Sequence, residues 1–154
     1  MHEAIQCCDL LCVAFSALVN AGQRKIAYDR GGKIFVADVD GTQSKKIADG
    51  SWPEISPDRK RLLLSIDMGE ESGRKDWDGP LPALWSFDLQ SQKATRLTPK
   101  KLFGWDGVWL DNDNVLFLSR AAGEKNDSIY RMSVDGKNLK RLIKNARFPS
   151  VSAP

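Results

Sequence analysis

Histidine and cysteine are almost missing from this chain. The one histidine is His2 and the three cysteines are Cys7, Cys8 and Cys12, so neither type occurs from residue 13 to residue 154. That stretch can form no disulfide, no Cys/His zinc site, no cysteine nucleophile and no Ser-His-Asp triad. Most hydrolase chemistry is excluded. Charge of one sign is scarce too: 23 Lys+Arg face 20 Asp+Glu, a net +3. The basic clusters Lys45-Lys46, Arg59-Lys60-Arg61, Lys100-Lys101 and Lys140-Arg141 are interspersed with carboxylates. They read as solvated strand ends and turns, short of a nucleic-acid footprint, so no nucleic-acid partner is expected. Long hydrophobic runs are lacking as well. After residue 22 no stretch sustains a helical apolar period over three turns, and none approaches membrane length.

The first 22 residues differ from the rest. Leu10 to Val19 is an uncharged apolar run of signal-peptide core length, and Val19-Asn20-Ala21 fits a cleavage site after Ala21. The segment before it carries Glu3 and Asp9 and no Lys or Arg, unlike a secretory leader. A start placed too early, or a short buried or disordered N-terminal segment, is the competing reading. Cys12 follows Leu11, where a lipid-anchor cysteine needs a small residue. The expected division is a leader over residues 1–22 and one repeated domain over 23–154.

Three segments share one template. Lys33-Ile34-Phe35-Val36-Ala37-Asp38-Val39-Asp40-Gly41 precedes Lys45-Lys46-Ile47-Ala48. Ala83-Leu84-Trp85-Ser86-Phe87-Asp88-Leu89 precedes Thr95-Arg96-Leu97-Thr98. Ser128-Ile129-Tyr130-Arg131-Met132-Ser133-Val134-Asp135-Gly136 precedes Lys140-Arg141-Leu142-Ile143. A second strand pair repeats between them. Trp52 to Asp58 leads into Arg61-Leu62-Leu63-Leu64-Ser65, and Gly107 to Asp113 leads into Asn114 to Ser119. Half copies stand at Lys25-Tyr28 and Phe148-Ser152. The runs are short, β-branched or aromatic, and bounded by Gly, Asp, Asn or Pro. The spacing predicts an all-β chain with strand order B-C-D, A-B-C-D, A-B-C-D, A: twelve strands, or about three four-stranded antiparallel blades of a partial β-propeller.

Ser56-Pro57-Asp58, the strand ends Val39-Asp40-Gly41 and Val134-Asp135-Gly136, and the basic-aliphatic fourth strand resemble the TolB-like (WD40-like) propeller repeat over residues 24 to 152. The pattern departs at Arg59, where the family usually has Gly, and at Asp111-Asn112-Asp113-Asn114, which replaces Ser-Pro-Asp-Gly. The resemblance implies a propeller fold. It leaves function open, because the repeat occurs in periplasmic TolB-type proteins and in propellers beside prolyl-oligopeptidase catalytic domains.

Asp38-Val39-Asp40-Gly41 and Asp135-Gly136 resemble calcium loops but lack the third acidic residue and the downstream Glu, and they read as hairpin turns. Gly31-Gly32 reads likewise. Ser56 and Ser65 have no base beside them, and nothing singles out a catalytic carboxylate pair. Trp85 and Trp109 fall inside strands and are expected between blades. Trp52, Trp77 and Trp105 fall in connections. Strand order puts the D-to-A and B-to-C connections on one face, so these three share it with the insertion from Asp67 to Pro82 (Glu70, Glu71, Arg74, Lys75, Asp76, Trp77, Asp78) and with Arg120, Lys125, Arg147 and Phe148. Trp and Arg are favoured anchors of binding surfaces. The expected ligand- or partner-binding residues are therefore Trp52, Arg74, Asp76, Trp77, Asp78, Trp105, Arg120 and Arg147. The alternative is that the tryptophans plug crevices between blades.

Three function classes are weighed. The first is a secreted or periplasmic non-catalytic module, with a protein or peptide partner and no cofactor or metal. The second is an accessory or remnant propeller of a prolyl-oligopeptidase-like enzyme. The third is a carbohydrate-active, lyase-like propeller. For assembly, the readings are a homodimer completing a six-bladed ring, a partial propeller, and an open solenoid.

Overall fold

The computed structural model describes residues 24–67 and 81–152. The leader therefore lies outside the described residues. The described residues form eleven strands: β1 (Lys25–Asp29), β2 (Lys33–Asp38), β3 (Lys45–Asp49), β4 (Ser51–Ile55), β5 (Arg61–Asp67), β6 (Pro82–Asp88), β7 (Ala94–Arg96), β8 (Trp105–Trp109), β9 (Asn114–Ser119), β10 (Ser128–Ser133) and β11 (Lys140–Lys144). They make three antiparallel sheets, ordered β1-β2-β3, β4-β5-β6-β7 and β8-β9-β10-β11. These are three blades in the expected strand order. The twelfth strand is not formed: residues 148–152 join no ladder among the described residues.

The blades stack because their middle strands are apolar on both faces. Leu62, Leu63 and Leu64 of β5 are all essentially inaccessible. A strand alternates its side chains, so a continuous apolar run needs cover on both sides. Leu62 and Leu64 meet Ile34 and Phe87 between the first and second blades. Leu63 and Leu84 meet Trp109, Val115, Phe117, Tyr130 and Met132 between the second and third. Gly107 permits the second contact. A Cβ there would stand 2.6 Å from Leu63 Cδ2 and 2.7 Å from Leu84 Cδ1. Trp109 lies in this core and Trp85 packs at the edge of the other one, as expected.

The turns are those the sequence indicates. Gly31 and Gly32, at φ +60° and +72°, close the β1–β2 hairpin, a left-handed pair that glycine adopts freely. The Asp38-Gly41 segment is a turn closed by the Gly41 N–H on the Asp38 carbonyl, with Asp40 accepting from the Thr42 N–H and hydroxyl. In the Ser-Pro-Asp hairpin Ser56 is buried; its hydroxyl donates to Asp58 and accepts the Arg61 N–H. Arg59 takes φ 61°, which explains the usual Gly at that place.

The A strands need one correction. Sequence comparison sets Ser56-Pro57-Asp58 against Asp111-Asn112-Asp113. The ladders pair Ile55 with Leu62 and Trp109 with Val115, so Ser56 corresponds to Leu110. The second hairpin is one residue shorter. Asp111 tightens it by accepting the Asp113 and Asn114 N–H groups.

Candidate functional site

Each A strand carries the same irregularity near its start. Ser51 pairs with Ser65 and Glu54 with Leu63, and the register shifts between them. In the third blade Trp105 pairs with Leu118 and Val108 with Leu116, with the same shift. The residue inside each bulge is left-handed: Trp52 at φ 52° and Asp106 at φ 48°. Phe148 repeats it at φ 54°, although its segment is in no ladder. Bulges re-aim side chains, and left-handed bulky residues are uncommon and concentrate at functional sites. Trp52 is 50% exposed and Phe148 77%.

These bulges border a pocket of about 260 Å³ lined by Trp52, Asp67, Pro82, Trp105, Leu118, Arg120, Asp127, Arg147 and Phe148. Every one of them lies at a D-to-A or B-to-C connection or at the adjoining strand end. The face deduced from strand order therefore exists. The structure brings together Trp52, Trp105, Arg120 and Arg147 from the expected set, with Phe148 beside them. Arg74, Asp76, Trp77 and Asp78 lie outside the described residues. Trp105 stacks on Phe103 at 5.6 Å between ring centroids, which fixes its plane at the pocket wall.

Asp127 was not singled out in the sequence, and it organises the polar side of the pocket. Its side chain is only 2% exposed. Arg120 Nε and its terminal nitrogen reach Oδ1 at 2.8 and 2.6 Å, and Arg147 Nε reaches Oδ2 at 2.6 Å. Each carboxylate oxygen thus holds one arginine. The Asp127 carbonyl also accepts the Ala146 N–H at 3.1 Å. A buried carboxylate is stable only when paired and hydrogen-bonded in this way. Both arginines line the pocket, and exposed Asp67 lines it too. Charge-assisted pairing of this kind also fixes geometry.

A second pair of acids lies on the inner strands. Burial pushes the half-buried Asp106 carboxyl above its ordinary 3.8. Glu54 is raised first by burial of its carboxyl, although the residue as a whole is exposed, and then by the Asp106 charge. A carboxyl raised in the folded state gives stability that is complete below its unfolded value and is lost as pH rises through its folded value. Asp106→Asn, which suits left-handed backbone, should therefore be more stable than the parent at pH 7. The advantage should vanish below pH 3.8, and urea midpoints measured across pH 3 to 8 check this. Among the described residues no group of three or more His, Cys, Asp or Glu is placed to hold a metal ion, and no helix is long and apolar enough to cross a membrane.

Solved structures share this architecture. TolB from Acinetobacter baumannii superposes with a TM-score of 0.56 and 25% identity over 76% of this chain and 28% of its own. The fold is that of a TolB-like β-propeller. Oligogalacturonate lyase from Vibrio parahaemolyticus gives 0.61 at 12% identity, over 80% of this chain and 38% of its own. The propeller domain of the Trilobed protease from Pyrococcus furiosus, described as having an open velcro topology, gives 0.53 at 14%, over 78% and 38%. The chain thus spans 28% to 38% of the length of these three proteins. The likenesses include enzymes and a TolB protein, so they carry fold and leave activity open. No protein-family model matches the chain, and no curated protein matches it.

Proposed function

We propose that this TolB-like propeller is a non-catalytic binding module, exported to the periplasm or secreted, that holds a peptide segment of a partner protein on its connection face. The observation that carries the reading is the pocket. Three aromatic walls (Trp52, Trp105 and Phe148) face an arginine pair fixed by buried Asp127. A volume of about 260 Å³ is below the roughly 300–1,000 Å³ of sites for drug-sized ligands. It matches one large side chain of a peptide, with the arginines beside it to take a carboxylate from the same segment. Aromatic and arginine anchors around a small pocket are the usual makings of a binding hot spot. From residue 13 onward there is no histidine or cysteine, so that stretch supplies no cysteine nucleophile and no Ser-His-Asp triad.

Peptides bearing one aromatic residue and a nearby carboxylate should raise the unfolding midpoint, since a ligand of the native state alone stabilises it. Trp52→Ala and Phe148→Ala should each weaken that binding at least tenfold, about 1.4 kcal/mol. Both side chains are half exposed or more, so the urea midpoint of the free protein should move little. Titration calorimetry with parent and variants decides it. Unchanged affinity in both variants removes the pocket from the reading. Acidic oligosaccharides run in the same series test the lyase-like alternative, and a shift from glycans alone replaces the peptide reading with it.

A further inference from the structure

The pocket lies over the seam of the second and third blades, and its charged residues are divided between the two sides. Leu63 and Leu84 face this seam from the second blade, in one core with Trp109 and Phe117. Side chains alternate along a strand. Asp67, four residues after Leu63 on β5, and Pro82, two before Leu84 on β6, therefore project on the same face. The ladder sets them opposite each other, and both line the pocket with Trp52. From the other side come Trp105, Arg120, Asp127 and Arg147.

The two acids of the lining differ. Asp127 is buried and engaged by Arg120 and Arg147. Asp67 is exposed, and among the described residues no hydrogen bond or ion pair engages its carboxylate. A carboxylate left without a cation beside tryptophan walls favours a ligand that carries one, because indole faces attract an ammonium as well. The position of Asp67 is fixed from both sides. Its partner Pro82 accepts the Gly104 N–H at 2.9 Å, and Gly104 leads directly into Trp105. Acid and aromatic wall are thus held to one strand end before any ligand arrives, which lowers the ordering cost of binding.

We infer that the peptide in this pocket is held by its free amino terminus. Its first residue is aromatic, its α-ammonium pairs with Asp67, and the carboxylate of an acidic second residue pairs with Arg147. This rests on the peptide reading above and names the ligand class of that site. The volume decides for a terminus over an internal lysine or arginine. About 260 Å³ holds one large side chain, so ring and cation have to come from a single residue. Phe, Tyr and Trp carry a cation only at an amino terminus, where the α-amino group, with an ordinary pKa of about 7.7–8.0, is mostly protonated at neutral pH. A carboxy-terminal aromatic residue would suit the arginines and bring a second negative charge towards Asp67. The carboxylate has its own place. Arg147 meets Asp127 through Nε and its side chain is 56% exposed, which leaves the terminal N–H groups of a five-donor fork for the ligand.

Titration calorimetry at pH 7 with a tetrapeptide amide beginning Phe-Glu, in free and N-acetylated forms, tests this. The Glu side chain is the sole carboxylate of either peptide, so the two differ in the ammonium alone. The free form should bind the parent about fivefold tighter or more, the factor given by an exposed ion pair of about 1 kcal/mol. Asp67→Asn should bind both forms alike, at the affinity of the parent for the acetylated peptide. Asp67 is exposed at a strand end, so this variant should keep the urea midpoint of the parent. Equal affinity of the parent for both forms overturns the amino-terminal assignment and leaves the peptide reading standing. An undiminished preference in Asp67→Asn overturns the role of Asp67. Absence of binding by either form overturns the inference together with the reading beneath it.

Discussion

Leu63→Ala and Trp109→Ala should each lower the unfolding free energy by about 3 kcal/mol or more, in the range of large-to-small truncations in protein cores. Leu63 is fully inaccessible and lies at the seam of the second and third blades, between Leu84 and Trp109. Trp109 is 5% exposed. Its indole N–H donates to the Glu54 carbonyl at 3.0 Å, and the Arg61 guanidinium lies 5.0 Å from its ring centroid. Its removal therefore empties the seam, takes a hydrogen bond from a carbonyl of the neighbouring A strand and removes the ring that Arg61 stacks on. Urea denaturation followed by circular dichroism measures both losses. Trp52→Ala is the contrast, because that ring is half exposed at the pocket. Equal destabilisation by Trp52→Ala and Trp109→Ala would favour a crevice-filling role for Trp52 over a binding one.

The blade seams were legible because they rest on period and repetition. Leu62-Leu63-Leu64 can be apolar throughout only if both faces are covered, and the threefold recurrence of aromatic C strands says by what. The common face of Trp52, Trp105, Arg120 and Arg147 was legible for the same reason, since strand order alone fixes which connections emerge together. Asp127 was not. In sequence it is one of many acids between loop residues, and its role depends on two arginines, seven and twenty residues away, folding onto opposite oxygens of one carboxylate. The bulges were also hidden. A left-handed Trp, Asp or Phe carries no sequence mark of the kind that glycine gives. The A strands were aligned one residue out of step because the hairpin after Trp109 is one residue shorter than that after Ile55. The final strand followed the motif at Phe148-Ser152 and is not formed, because strand conformation needs a partner edge as well as a pattern.

Asp127→Ala should cost about 2–3 kcal/mol, the scale of losing hydrogen bonds to a buried charged group. Asp127 ties the pocket to the fold. Its carboxylate fixes Arg120, which leaves β9, and Arg147, which follows β11, while its backbone carbonyl holds Ala146. Without the carboxylate both guanidinium groups lose these bonds. Arg147 is already 56% exposed and can turn to water, whereas Arg120 is 18% exposed and gives up its bonds to a buried carboxylate. Arg147→Ala should therefore cost less than half as much, in the range of exposed ion pairs of up to about 1 kcal/mol. Asp127→Asn separates charge from shape. It keeps one acceptor and one planar group, so it should recover part of the lost stability while giving up the bond to one of the two arginines. Equilibrium urea unfolding of the three variants gives the order Asp127→Ala, Asp127→Asn, Arg147→Ala from most to least destabilised. If Arg147→Ala proves as damaging as Asp127→Ala, Arg147 serves the fold more than the pocket, and the arginine pair loses its place as the anion-holding wall.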